Sequence, residues 1–155
     1  MVPRIFAFLC AVVLLVGCQW MPFAPNAPSP VGQLAYIARD GNIYVTDASL
    51  AKKIAITRDA TTTPEGSGRS YHRVSWSPDG QLAFASVTRN VMSATSQIFT
   101  VPSVDASPRL ITQNDQNFVI YMYWSPVSCP DQPQCWQLAY LIEEDTGQIV
   151  LFLIE

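Results

Sequence analysis

The stretch Trp76-Ser77-Pro78-Asp79-Gly80-Gln81-Leu82-Ala83-Phe84 joins a turn to a strand, and it decides the interpretation of the whole chain. Proline presets its backbone angle for a β-turn, aspartate suits such turns, and glycine adopts positive φ without strain. The aliphatic and aromatic residues that follow favour extended structure. The stretch therefore predicts a tight turn at residues 77–80 between two antiparallel strands.

The strand that follows this turn recurs along the chain. Gln33-Leu34-Ala35-Tyr36 returns as Gln-Leu-Ala-Phe at residues 81–84 and as Gln-Leu-Ala-Tyr at residues 137–140. Trp76-Ser77-Pro78 returns at residues 124–126, and Asn42-Ile43-Tyr44 aligns with residues 97–99 and with Gln148-Ile149-Val150. Repeats of roughly 40–50 residues that contain short β-prone runs are typical of propeller blades rather than of helical arrays.

The central repeat contains four predicted strands, A to D, at residues 73–76, 81–87, 97–102 and 109–112. The first repeat offers only strands B, C and D, and the third offers strand A at residues 119–124, then B and C. Asp40-Gly41 and Thr146-Gly147 mark the turns between B and C in those two repeats. The predicted fold is all-β: a partial β-propeller of about two and a half four-stranded antiparallel blades after an N-terminal signal helix. The repeat units are residues 32–57, 70–112 and 118–155.

Residues 32–155 resemble the TolB-like, WD-repeat-like β-propeller family of envelope proteins, whose blades carry a Trp-Ser-Pro-Asp-Gly turn before a Leu-Ala-Phe strand. Trp76, Ser77, Pro78, Asp79 and Gly80 match that turn, whereas residues 127–135 replace the Asp-Gly turn in the third repeat. The family includes a periplasmic scaffold and the propeller domains of certain serine peptidases. This sequence shows neither the scaffold's α/β domain nor a hydrolase domain. The resemblance therefore implies a fold and an envelope location but neither activity.

Two and a half blades cannot close a ring, because closed propellers have about four to eight. Three explanations are open: the chain is a truncated form of a longer propeller, it completes a ring with copies of itself, or it is a free-standing stack of sheets. We favour truncation, since partner strands are missing at both ends. The apolar run at residues 149–154 is then expected on an unpaired sheet edge, where self-association is possible.

The N-terminus has the layout of an export signal. Arg4 precedes an uncharged apolar run at residues 5–16, which is shorter than the roughly 20 residues that a transmembrane helix needs. Leu15-Val16-Gly17-Cys18 resembles the lipobox of bacterial lipoproteins. The resemblance implies that the signal peptide, residues 1–17, is removed and that lipid on Cys18 anchors the protein to a membrane; the alternative is an ordinary signal-region cysteine. Residues 18–31 contain four prolines and predict an extended tether.

Charge argues against nucleic acid as a partner. Removal of residues 1–17 takes away Arg4 and changes the formal net charge from −3 to −4. The sequence contains no basic run that could neutralise phosphates. We expect the protein in the cell envelope, outside the cytoplasm.

The sequence offers no recognisable catalytic or metal site. His72 is the single histidine, its nearby acidic residues are Asp79 and Glu65, and no serine or cysteine has the context of a nucleophile. Residues 66–68 lack the lysine of a phosphate loop, and the acidic residues 143–145 are expected at a solvated hairpin tip rather than around a cation. We predict no enzymatic activity, no cofactor and no metal.

Two cysteines and two tryptophans have predicted structural roles. The short spacing of Cys129 and Cys135 in an exported chain favours a disulfide within the A to B connection of the third repeat, because a metal site would need further ligands. Trp76 and Trp124 end equivalent strands and are expected to pack between neighbouring blades. Stacking on a ligand is the alternative.

The expected function is a lipid-anchored, non-catalytic binding scaffold that presents loops to a protein or a glycan of the envelope. Residues 58–70 and 88–96 are predicted to form the two longest loops on one face, where binding tends to reside. The alternative is a propeller accessory region of a secreted hydrolase or peptidase whose catalytic domain is missing.

Overall fold

The computed structural model describes residues 32–61, 66–144 and 146–154. The predicted signal peptide, Cys18 and the tether lie outside these residues, as do Glu65 and Asp145. The described part contains strands and no helix, and hence no helix that could cross a membrane; the predicted all-β class is confirmed. The strands are β1 Gln33–Ile37, β2 Ile43–Asp47, β3 Lys53–Ala55, β4 Gly68–Trp76, β5 Leu82–Arg89, β6 Ala94–Val101, β7 Arg109–Asp115, β8 Phe118–Cys129, β9 Gln132–Glu143 and β10 Ile149–Ile154.

The strands form three antiparallel sheets that follow one another along the chain. Sheet I has the order β1-β2-β3, sheet II the order β4-β5-β6-β7, and sheet III the order β8-β9-β10. The three sheets span residues 33–55, 68–115 and 118–154, so each overlaps one predicted repeat, and sheet II extends beyond the predicted 70–112 at both ends. The strands present in each sheet are also those predicted: B to D in sheet I, A to D in sheet II and A to C in sheet III.

An aromatic pair marks the equivalent position in every sheet. Tyr36 lies opposite Tyr44 in sheet I, Phe84 opposite Phe99 in sheet II, and Tyr140 opposite Phe152 in sheet III. The rings stack with centroids 6.0, 5.4 and 5.2 Å apart. The three Gln-Leu-Ala segments therefore occupy the same place in their sheets.

The sequence alignment of strand C was wrong in the third repeat. It matched Tyr44 with Val150, whereas the strand register matches Tyr44 with Phe152, two residues later. The pairing of β9 with β10 begins at Glu143 and Ile149, where the amide of Glu144 bonds to the carbonyl of Gln148 and closes the turn. Turn geometry sets the register of a hairpin, so local similarity at residues 148–150 was misleading.

Each sheet has two distinct faces, which we call front and back. The front face carries Leu34, Leu82 or Leu138 together with the aromatic pair, and the back face carries Ala35, Ala83 or Ala139, because side chains alternate along a strand. The front of sheet II packs on the back of sheet I in one core, and the front of sheet III packs on the back of sheet II in a second. Sheet II is therefore buried on both faces.

The front and back faces differ in residue size. In the second core, Ala83 and Ala85 of sheet II meet Met122, Trp124 and Tyr140 of sheet III. Large rings against small alanines fill the space between the sheets without steric conflict. The outer strands β3, β7 and β10 are the sheet edges furthest from β4, which lies beside both β1 and β8.

The predicted loop at residues 88–96 is wrong. Strands β5 and β6 continue through most of residues 88–96 and leave a link of only four residues, Asn90 to Ser93. Thr88 pairs with Thr95 in the ladder, and Ser96 is buried with its hydroxyl accepting a hydrogen bond from the amide of Val119. These polar residues suggested a loop, but cross-strand pairing and the neighbouring sheet hold them in strands.

The long connection predicted at residues 58–70 is present but shifted, since it lies between the end of β3 at Ala55 and the start of β4 at Gly68. Strand β4 begins at Gly68, five residues before the predicted start of strand A at Arg73. The amide of Thr61 bonds to the carbonyl of Arg69 at 2.8 Å, which ties the connection to the new strand.

Candidate functional site

The Trp-Ser-Pro-Asp-Gly segment forms the turn between β4 and β5. The amide of Ser77 donates to the carbonyl of Gln81 at 2.8 Å, and Gly80 has a φ of 91° that an L side chain would strain. The Ser77 hydroxyl donates to the Asp79 carboxylate and accepts from the amide of Gln81 at 2.7 Å. The polar groups of the turn thus satisfy one another, and the segment shapes the backbone.

The third repeat has a hairpin arm in place of this turn. The predicted loop at residues 127–135 is wrong, since β8 runs to Cys129 and β9 starts at Gln132. Cys129 and Cys135 are bonded in a disulfide with Cα atoms 5.3 Å apart, as the spacing predicted. Residues 125–127 bulge out between the pairs Trp124–Leu138 and Ser128–Trp136, which changes the direction of the arm relative to the sheet.

A cleft of about 320 Å³ lies between sheets II and III at the base of this arm. Its lining combines two indole rings with amide and guanidinium groups, contributed by Trp124, Trp136, Gln81, Gln132, Gln134 and Arg109. The glutamines of the arm and Arg109 are exposed, whereas Trp124 is only 7% exposed. The mixture of aromatic rings, amides and one guanidinium suits a polar ligand with apolar patches.

The three tryptophans of the described residues all contact the cores between the sheets, and two of them also line the cleft. Trp124 belongs to the core between sheets II and III, and Trp76 packs against the core between sheets I and II. Trp136, which follows Cys135 directly, is half-buried on the cleft wall. Sequence reasoning overlooked Trp136, and the signal available was an aromatic residue directly after a cysteine-closed insertion.

A bulge at Arg73, within β4, joins sheet II to β8 of sheet III. The register of β4 against β5 shifts between His72 and Val74, and Arg73 has a φ of 56°. The guanidinium Nε of Arg73 donates to the carbonyl of Ile120 at 2.6 Å, and His72 Nε2 lies 3.1 Å from the carbonyl oxygen of Val119. A positive φ lets two consecutive side chains reach the same neighbouring strand, although they would alternate in a regular one.

His72 is held in its neutral form. Burial lowers the pKa of His72, the hydrogen bond to Val119 opposes that shift, and the charges of Arg73 and Arg89 add to the lowering. The guanidinium of Arg89 sits 5.3 Å from the ring centroid of Phe118 on β8.

Among the described residues, no group of three or more His, Cys, Asp or Glu side chains could hold a metal ion.

A second polar junction joins the connection after β3 to sheet II. Asp59 forms an ion pair with Arg69 at 2.8 Å and accepts a hydrogen bond from the Tyr71 hydroxyl at 2.6 Å. Burial and the carboxylate raise the pKa of Tyr71 to about 12. Although burial alone would raise the pKa of Asp59, its bonds to Tyr71 and Arg69 bring it below the usual value. These bonds hold the long connection between β3 and β4 against the first residues of β4.

Comparisons with protein-family models, with curated proteins and with solved structures found no match.

Proposed function

We propose that this chain is a lipid-anchored, non-catalytic binding protein of the cell envelope, built as part of a TolB-like β-propeller. Front-to-back packing of successive sheets supports the propeller. A further support is the position of β4 beside β1 and β8, which places strand A of sheets II and III and the remaining inner strand of sheet I, strand B, on one side. Blades of a propeller are arranged in this way around a central axis.

The proposal of binding rests on the cleft at the base of the disulfide arm. Trp136 offers part of a ring face, and Gln132 and Gln134 offer exposed amides on the same arm. Ring faces pack against the C–H surfaces of sugars and aliphatic side chains, and amides exchange hydrogen bonds with hydroxyl or peptide groups. An oligosaccharide or a peptide segment of an envelope protein fits this lining.

Binding can be tested with arrays of bacterial envelope oligosaccharides and of envelope-protein peptides. The variant with Trp136→Ala and Gln134→Ala should lose at least about tenfold in affinity, a cost of roughly 1.4 kcal/mol. The matched control is Val91→Ala with Met92→Ala in the short turn between β5 and β6, where both side chains are almost fully exposed. Binding to neither array by the unaltered chain, or equal binding by the cleft variant, would reject the proposal.

The anchor requires a separate test, because Cys18 lies outside the described residues. Cys18→Ser should move the protein from the membrane fraction to the soluble fraction, whereas Cys10→Ser should leave it in the membrane fraction. Mass spectrometry of the mature N-terminus should find residue 18 first and acylated. An unmodified N-terminus at another residue would contradict the lipid anchor.

A further inference from the structure

The back face of sheet III is apolar and uncovered. Five of its side chains, on the two outer strands β8 and β10, are each more than half exposed: Tyr121, Tyr123, Ile149, Leu151 and Leu153. In sheet II the residues equivalent to Ala139 and Leu151 are Ala83 and Ile98, and both are fully buried under sheet III. The same face of the repeat is thus a core in one sheet and open to water in the next.

The front face of sheet I is uncovered as well. Leu34 is 54% exposed, although its equivalents Leu82 and Leu138 are each 1% exposed under a neighbouring sheet. Tyr36 and Tyr44 form the aromatic pair on this face, as Phe84 and Phe99 do in the buried front of sheet II. Lys53 also lies on this face, on the edge strand β3, with its ammonium 3.7 Å from the Tyr44 ring centroid. The Lys53 ammonium can stay in water at the rim of a contact that covers Leu34 and the two tyrosine rings.

We propose that a second copy of this chain covers both faces, with the front of sheet I of each copy packed on the back of sheet III of the other. This contact repeats the front-to-back packing already present between sheets I and II and between sheets II and III. A head-to-tail contact closes when the rotation from copy to copy allows it. Three sheets from each of two copies make six, within the roughly four to eight blades of closed propellers.

The exposed back face of sheet III is large enough for its share of a stable dimer interface. A standard interface buries about 800 Å² on each partner. Each copy contributes two patches to a closed ring, so each patch must supply roughly 400 Å². An aromatic side chain alone can bury about 150–250 Å². Two half-exposed tyrosines and three half-exposed aliphatic side chains on sheet III are therefore sufficient.

This inference rests on the propeller arrangement but not on the anchor or the ligand, so its test is the number of chains in a particle. We expect the full chain, purified in mild detergent, to give two-chain particles by native mass spectrometry at micromolar concentration. Leu34→Glu and Leu151→Glu should each reduce the particle to one chain, while Val91→Glu, in an exposed turn away from both faces, should not. Circular dichroism verifies that each variant is folded, and Tyr123→Glu replaces Leu151→Glu if the latter is not.

The decisive experiment mixes the two single-chain variants. A pair made of one Leu34→Glu copy and one Leu151→Glu copy keeps one contact in which both faces are unaltered, so two-chain particles should return. A single-chain state of the unaltered protein at micromolar concentration would overturn the proposal and assign the faces to another protein or to other blades. Dissociation by Leu151→Glu but not by Leu34→Glu would also overturn it, because the contact would then join two copies of sheet III.

Discussion

His72 on β4 and Val119 on β8 are 47 residues apart in the sequence, yet the imidazole Nε2 lies 3.1 Å from the Val119 carbonyl oxygen. The contact bridges sheets II and III beside the Arg73 bulge. A carbonyl accepts a hydrogen bond from the neutral ring, and burial keeps the ring neutral by lowering its pKa. His72 therefore belongs to the structural junction between the two sheets.

Stability should fall in mild acid because of His72. Its pKa in the folded state is below the unfolded value of about 6.5, so the unfolded chain takes up a proton first and the free energy of unfolding decreases below about pH 6.5. Thermal unfolding at about pH 7.5 and about pH 5.5 should show this decrease, and His72→Gln should remove most of it.

The three aspartates with lowered pKa values do not contribute to the loss of stability between about pH 7.5 and about pH 5.5. Asp40, Asp47 and Asp59 have lowered pKa values, so their contribution to stability is lost only near and below their ordinary pKa of 3.8. An unchanged acid response in His72→Gln would mean that another group titrates.

Three leucines at equivalent positions should differ sharply in their energetic contribution. Leu82→Ala and Leu138→Ala each leave a cavity between two sheets and should cost about 2–5 kcal/mol of unfolding free energy. Leu34→Ala should cost under about 1 kcal/mol in the monomer, since its side chain is more than half exposed. Urea unfolding at sub-micromolar protein concentration measures all three. Similar losses at the three positions would show that sheets I and III are covered differently from what we describe.

The disulfide should stabilise the arm modestly. Cys129→Ala with Cys135→Ala opens a small ring and should lower the unfolding free energy by about 2 kcal/mol or less. The unaltered chain should lose the same amount when a reductant is added, whereas the double variant should not respond. A much larger loss would indicate that the arm organises the sheet itself.

A buried hydroxyl on the connection after β3 should be important for sheet I. Thr57 accepts a hydrogen bond from the amide of Ile43 at 2.9 Å and donates to the side-chain oxygen of Asn42 at 3.2 Å. Thr57→Val leaves the Ile43 amide without that partner and should cost about 1–3 kcal/mol. Thr46→Val is the control, because Thr46 is also buried but its hydroxyl makes a single contact of 3.4 Å. Chemical denaturation distinguishes the two, and equal losses would contradict the role of Thr57.

Much of the sheet plan could be predicted from sequence. Leu82, Phe84 and their repeats alternate with small residues, and Gly80 ends a turn that only a few residue types can form, so these strands depend on local chemistry. The cleft could not be predicted in the same way. Trp136 and Gln81 meet across it from different sheets, and no local pattern records that proximity.

The Arg73 bulge shows another limit of sequence reasoning. Arginine is not a residue that favours a positive φ, so nothing in the stretch around His72 signals the irregularity. Contacts with Val119 and Ile120 of another sheet hold it in place. Similarly, Ser96 is a polar residue whose strand is maintained by pairing with β5 rather than by its own propensity.

The amino-acid sequence alone determined the β class, the three repeats and the turns, because alternation, turn chemistry and cysteine spacing act over a few residues. Only the tertiary structure decided which repeats are covered. Leu34, Leu82 and Leu138 stand in the same Gln-Leu-Ala context, yet the first is exposed and the other two are buried. Burial depends on the sheet that lies opposite, and that sheet comes from a distant part of the chain or from another molecule.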